Sequence, residues 1–284
     1  MFPKFHVSHG SSLVAAAAIA CLPVGMAGAV LAVLTVGAGT ASATVVTIYA
    51  DNFTGSATTP LAGQAPTTDS GGATWTAATP SSSVQWMENG SVVNPPPSVN
   101  NIAVSLPLTP VSGGIYTASI VLAPTTNGNQ FFFGFGTFTG PNAAFPFYAG
   151  YGPWMSVADT HPISTFAGPN TQNQNSANMW ASTIPGTATV VLNTTAPDWT
   201  VQWSYSGNVN GPSLGTYSYT GASGANPNPT GITGVGFSSN SETGSVSDFS
   251  LTGPAPVPEP ATLGLFAVGG MGLLLAARKR KTQV

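Results

Sequence analysis

The sequence predicts an all-β protein. One two-sheet antiparallel sandwich is expected over residues 44–253, flanked by an N-terminal signal helix and a C-terminal transmembrane helix. Three observations carry this expectation. Runs rich in β-branched and aromatic residues recur between clusters of Gly, Pro, Asn and Ser, at spacings that suit short strands and turns. Several of these runs alternate with period two, as over 116–122 and 200–205, where one face is apolar or aromatic and the other polar. No stretch of the body repeats apolar residues at intervals of three and four over three turns, so little helix is expected there.

Residues 1–43 read as an export signal. Lys4 is the sole cation ahead of an uncharged stretch, 13–36, rich in Ala, Val and Leu. Ala41-Ser42-Ala43 then sets small residues at the positions a signal peptidase needs for a cut after Ala43. The stretch is long for a signal, and the alternative is an uncleaved N-terminal helix. A lipoprotein-type site at Cys21 fits less well, because the apolar run continues past it. Cys21 is the only cysteine, so the body has no disulfide, no thiol nucleophile and no Cys-ligated zinc.

The body's strands are expected at 44–50, 102–106, 115–122, 130–138, 187–193, 199–205, 215–219, 231–237 and 245–251. Two inserts interrupt that rhythm. The first, 81–99, contains Asn94-Pro95-Pro96-Pro97, a stiff segment that cannot lie in a central strand. The second, 141–185, carries Phe145, Phe147, Tyr148, Tyr151, Trp154, Phe166 and Trp180 among Gly, Asn and Pro, and reads as a long loop of the kind that often serves function. Residues 254–260 form a proline-rich spacer.

Charge usage excludes several function classes. Between Thr44 and Pro256 there is no Lys or Arg, while Asp51, Asp69, Glu88, Asp159, Asp198, Glu242 and Asp248 are all acidic. Nucleic-acid binding needs cations to neutralise phosphates, so no nucleic-acid partner is expected. Lysine-bearing phosphate loops are missing for the same reason. Solubility has to come from Ser, Thr, Asn, Gln and backbone, a surface suited to polysaccharide-rich surroundings.

The chain ends in Val257-Pro258-Glu259-Pro260, an uncharged run over 261–277, and Arg278-Lys279-Arg280-Lys281. Seventeen residues at 1.5 Å reach about 25 Å, at the short end for crossing a bilayer core of about 30 Å. The basic cluster acts as a membrane stop that holds its end in the cytoplasm. Proline-glutamate-proline, glycine-rich apolar run and basic end, in this order at the C-terminus, resemble the PEP-CTERM sorting signal. The resemblance covers about a tenth of the chain. It implies an exported, membrane-anchored precursor in a Gram-negative bacterium and processing near Pro258, Glu259 and Pro260 by an exosortase-type membrane transpeptidase. Delivery to the cell surface, exopolysaccharide or biofilm matrix follows. The plainer alternative is a simple membrane anchor behind a proline-rich linker.

The body also resembles the concanavalin A-like lectin/glucanase jelly roll. Ala50-Asp51-Asn52-Phe53 near the start and Gly244 through Thr252 at the end carry the likeness. So do Gly114-Ile115-Tyr116-Thr117-Ala118-Ser119, Phe132-Phe133-Gly134-Phe135-Gly136 and Gly231 through Phe237. The resemblance implies that the first and last strands pair in one sheet. An immunoglobulin-like sandwich is the competing architecture.

Catalysis is not expected. Glycoside hydrolases hold two carboxylates about 5.5 Å apart for retention, and further for inversion. The Glu-x-Asp-x-x-Glu strand of the glucanases in this fold class does not occur, and the closest acids of the body, Glu242 and Asp248, are six residues apart. Asp159 and His161 make a poor zinc site and stand beside no nucleophile signature. No cofactor is expected. Calcium is a candidate only at Asp51, Asn52 and Asp248, whose alternative role is turn and backbone hydrogen bonding. Sugar binding pairs aromatic faces with amides and hydroxyls. Tyr148, Tyr151, Trp154 and Trp180 beside Asn170, Gln172, Asn173, Gln174 and Asn175 are the candidates, with core packing as the alternative; Trp75, Trp199 and Trp203 are assigned to the core. The expected role is structural, adhesive or weakly glycan-binding, with a glycoside hydrolase-like enzyme or a plain anchored structural protein as alternatives.

Overall fold

The computed structural model describes residues 44–57, 59–77, 85–95, 102–123, 130–138, 152–158, 162–168, 171–180, 185–208, 210–219, 228–240 and 243–255, with only the backbone described at 102 and 171–180. The segments expected to form a signal helix and a transmembrane helix fall outside these residues. Among the described residues no helix is long and apolar enough to cross a membrane.

Seventeen strands make up the described elements: β1 (Val45–Asp51), β2 (Thr59–Pro60), β3 (Thr68–Asp69), β4 (Thr76–Ala77), β5 (Met87–Glu88), β6 (Val93–Asn94), β7 (Ile102–Pro107), β8 (Ile115–Ala123), β9 (Gln130–Gly136), β10 (Trp154–Ala158), β11 (Pro162–Gly168), β12 (Thr171–Trp180), β13 (Gly186–Asn193), β14 (Thr200–Tyr205), β15 (Ser213–Ser218), β16 (Gly234–Ser239) and β17 (Ser245–Pro254). They form two antiparallel sheets. The ten-stranded sheet runs β15-β14-β13-β8-β17-β6-β5-β2, with β1 against β17 and β3; the seven-stranded sheet runs β12-β11-β10-β9-β16-β7-β4.

Alternation places the core between the sheets. Tyr116, Ala118, Ile120 and Leu122 of β8 and Ala188, Val190 and Leu192 of β13 point inward from one sheet. Phe131, Phe133 and Phe135 of β9, with Val235 and Phe237 of β16, meet them from the other. At one end Trp75 packs edge-on against Phe249 (5.0 Å between centroids) and Phe237 (5.4 Å), and Trp86 against Phe237 (4.9 Å). Such aromatic pairs contribute about 0.5–1.5 kcal/mol each beyond their buried area. With no cation in the body, this apolar packing has no intramolecular Lys or Arg ion pairs to assist it.

The first and last strands pair, as the jelly-roll resemblance implies. Val45 lies opposite Pro254 and Asp51 opposite Phe249, and Ala255 N–H donates to Thr44 O at 2.8 Å. β17 therefore extends past Gly253, where the sandwich was expected to end. It also contains a bulge. Strict alternation from buried Val246 would turn Asp248 inward, but the register shifts between Ser247 and Ser250, Asp248 takes a φ of 50°, and Phe249 faces the core instead.

The two inserts differ from the loops expected. Residues 141–185 contain β10, β11 and β12, three of the seven strands of the second sheet. β10 is buried on both faces, so its residues do not alternate, and β12 (TQNQNSANMW) is rich in amides that disfavour strands. Pairing with neighbours overrides those local signals. In the first insert, β5 and β6 form a small ladder that stops at Asn94, directly before Pro95. The strand ends there because proline has no N–H to continue it.

Candidate functional site

The face of the seven-stranded sheet turned away from the ten-stranded sheet is the first candidate. Trp154 lies opposite Gly134 of β9 and opposite Phe166 of β11; Ser156 lies opposite Phe132 and Ser164. Phe132 in turn lies opposite Ser238 of β16. This second aromatic cluster is separate from the core. The Trp154 and Phe166 rings stack at 3.6 Å with 6° between their planes, and Phe132 meets Trp154 edge-on at 5.8 Å. Gly134 is required beneath them: its φ is 147°, and a Cβ there would come within 2.5 Å of Pro153 O. β12 lies alongside, with Gln172 opposite Phe166 and Asn175 opposite Ser164.

This face unites some predicted residues and alters the role of one. Trp154, expected on an open loop, is on a strand and 1% exposed, its ring already covered by Phe166. It has no open face for a sugar. Phe166 is half-buried and is the ring of the pair that reaches solvent. Trp180 is on β12 opposite Pro162, and Gln172, Asn173, Gln174 and Asn175 are on the same strand, at the edge of the sheet. Tyr148, Tyr151, Asn170, Asp159 and His161 lie outside the described residues, as do Ala41, Ala43 and the tail residues Pro258, Glu259, Pro260, Arg278, Lys279, Arg280 and Lys281. Trp75 and Trp203 are buried in the core and Trp199 packs against it. The sequence reading missed Phe132, Ser156, Ser164 and Ser238. The one signal for Ser156 was its place between inward Met155 and Val157.

The acidic residues form a second group. Asp51 is buried and accepts three hydrogen bonds: at Oδ1 from Phe53 N–H (2.9 Å) and the Thr67 hydroxyl (3.2 Å), and at Oδ2 from Trp75 Nε1–H (2.7 Å). It ties the end of β1 to the aromatic core. Asp51, Asn52 and Asp248 line one surface pocket of about 290 Å³ together with Thr67, Thr68 and Ser250. Asn52 Oδ1 accepts from the Thr67 hydroxyl (2.7 Å), and exposed Asp248 accepts from the Ser247 hydroxyl (2.9 Å). Calcium takes six to eight oxygens. Asp51 is engaged by protein donors on both oxygens, which leaves Asp248 as the only accessible carboxylate of the pocket. Among the described residues no three His, Cys, Asp or Glu gather into one group. Glu88 is buried too; burial, and secondarily the Asp51 charge, push its carboxyl above the usual range, against a lowering hydrogen bond from the Gly55 backbone. Its carboxylate lies so close to Gly55 that a Cβ there would stand 1.5 Å from Oε2.

Fold and site together define an all-β, two-sheet antiparallel sandwich carrying an uncharged aromatic and amide region on one sheet. Residues 256–281 match the PEP-CTERM protein-sorting motif, the signal of exported, membrane-anchored precursors that an exosortase-type partner processes for the surface. Among solved structures, the chain is similar to an endo-1,3-beta-glucanase from Streptomyces sioyaensis (12% identity, 75% of this chain and 97% of that one, TM-score 0.47). It is also similar to a seed lectin of Lotus tetragonolobus (15% identity, 67% and 96% covered, TM-score 0.41). A third similar structure is a Bacillus subtilis protein of unknown function with a galectin-like fold (10% identity, 74% and 98% covered, TM-score 0.45). Comparison with curated proteins gives no match.

Proposed function

We propose that the mature body is a non-catalytic protein of the cell surface or exopolysaccharide matrix, with a structural or adhesive role exercised through weak glycan binding. The observation that carries this reading is the register of β11 against β12. It brings half-buried Phe166 beside Gln172, and Ser164 beside Asn175, at a sheet edge. An aromatic ring next to amides and hydroxyls, in a body with no Lys or Arg, is the chemistry that suits a neutral polysaccharide. Trp154 serves this site from beneath by holding Phe166. Trp180 is on the same strand as the amides, opposite Pro162. Asp51 and Glu88 do not form a hydrolytic pair in this reading, since both are buried and Asp51 is held by three donors.

The test uses residues 44–255, which include the Ala255–Thr44 hydrogen bond, passed over the producing organism's own exopolysaccharide. Phe166→Ala, Trp180→Ala and Gln172→Ala are run beside the parent, with folding followed by circular dichroism. The expected result is weak retention of the parent and about a tenfold loss for Phe166→Ala, corresponding to about 1.4 kcal/mol for one ring contact. A parent that is not retained overturns the glycan reading and leaves a plain structural protein. Release of new reducing ends from the polysaccharide would replace it with an enzyme.

A further inference from the structure

We infer that the end of the sandwich from which the C-terminal segment leaves is a membrane-contacting surface, seated on the lipid head groups while the precursor is anchored. This rests on the reading of the tail as a membrane anchor. Three large apolar side chains are exposed among the described residues: Val45 (63%), Val111 (58%) and Ile115 (44%). All three are at one end of the molecule. Val45 pairs with Pro254 across β1 and β17. Ile115 begins β8, the other neighbour of β17, and Gly114 lies so close to Pro254 that a Cβ on it would come within 2.7 Å of the proline ring. Tyr116 points into the core, so Ile115 faces outward. Val111 is tied to the same corner, its N–H donating to Tyr116 Oη at 2.8 Å and its carbonyl accepting from the Thr194 hydroxyl at 2.7 Å.

Chain length identifies the occupant. Ala255 N–H bonds to Thr44 O, so the signal segment and the sorting tail both join the body at this corner. Only residues 256–260 separate Ala255 from the uncharged run 261–277, and three of these five are proline. Extended, they reach about 20 Å. The head-group layer takes up about 5–8 Å of that, so this end of the body must stay within about 15 Å of the lipid surface. β8, at about 3.3 Å per residue, carries Ala123 roughly 27 Å away at the opposite end. The tether therefore presents the apolar corner to the membrane, and the absence of Lys and Arg in the body makes the contact one of apolar side chains rather than of charge. Asp198 lies in the connection after Asn193 at this same end, so zwitterionic lipid is the suitable probe.

The experiment uses the full chain with its tail intact, in a Cys21→Ser background, reconstituted into phosphatidylcholine vesicles without exosortase. Nitroxide labels are placed singly through Val111→Cys, Ile115→Cys, Thr243→Cys at the far end, and Val268→Cys within the uncharged run. The ratio of relaxation by oxygen, which partitions into lipid, to relaxation by a water-soluble nickel chelate is measured at each site. We expect the ratio at 111 and 115 to be severalfold above that at 243, approaching the value at 268. Equal ratios at 111, 115 and 243, with a lipid-like value at 268, overturn the inference while leaving the anchor intact. A water-like value at 268 removes the anchor reading and the inference with it. A contrast that appears only when exosortase is added overturns lipid as the partner in favour of protein.

Discussion

Replacing Trp154 with alanine separates a supporting ring from a sugar-contacting one. The indole is 1% exposed, stacked on Phe166 at 3.6 Å and flanked by Phe132 at 5.8 Å. A buried Trp removes about 200 Å² from water, which at about 25 cal/mol per Å² gives an upper value near 5 kcal/mol. Aromatic-to-alanine changes in cores cost about 3–5 kcal/mol, so a loss of about 4 kcal/mol is expected. For a domain of roughly 200 residues, each kcal/mol moves Tm by about 2–4 °C, so Trp154→Ala should lower Tm by about 10 °C. Trp154→Phe, which keeps a ring over Gly134, should recover a large part of that. Differential scanning calorimetry of residues 44–255 measures both, with retention on exopolysaccharide recorded on the same samples. Should Trp154→Ala melt within about 2 °C of the parent and yet lose retention, the ring was available to sugar and the reasoning from its burial is wrong.

Three further outcomes follow from the acidic residues. Asp51→Ala leaves Trp75 Nε1–H, the Phe53 N–H and the Thr67 hydroxyl without their carboxylate. At about 1–3 kcal/mol for a buried donor left unmet, it should lower the urea midpoint by an amount equivalent to about 4 kcal/mol, and a loss below about 0.5 kcal/mol would show that Asp51 is not the hub of this corner. Glu88 has a folded-state pKa above its ordinary value of 4.5, so the folded protein holds that proton more tightly than the unfolded chain. Its contribution to stability falls as pH rises from 4.5 through the raised value; Glu88→Gln should raise Tm at neutral pH and flatten the pH profile in that window, and an unchanged profile refutes the assignment. Millimolar calcium should leave Tm within about 1 °C of its value in chelator, because Asp51 is already engaged by protein donors; a clear upward shift would show a metal bound in the Asp248 pocket.

The expected fold was legible where each strand carried its own signal. β8, β13 and β14 alternate on the page as they do in the sandwich, because each has one face in the core and one toward solvent. β10 and β12 gave no such signal. The first has no solvent face, and half of the second's residues are Asn or Gln, with no alternation of apolar and polar side chains. The aromatic insert therefore stands out in the sequence by its composition, while its place in a sheet leaves no local mark. Asp248 shows the same limit on a smaller scale: alternation from Val246 would bury it, and only the bulge against β8 turns it out.

By itself, the sequence determined the all-β class, most of the central strands, the absence of cations from the body and the sorting tail, all of which depend on composition or on short-range periodicity. Only the tertiary structure decided that Trp154 is buried beneath Phe166, that Asp51 holds Trp75, and that Thr44 and Ala255 meet at one corner beside Val45 and Ile115. These depend on which distant strands pair and in what register. Register is set by the packing of both sheets at once, and no local stretch of chain contains that information.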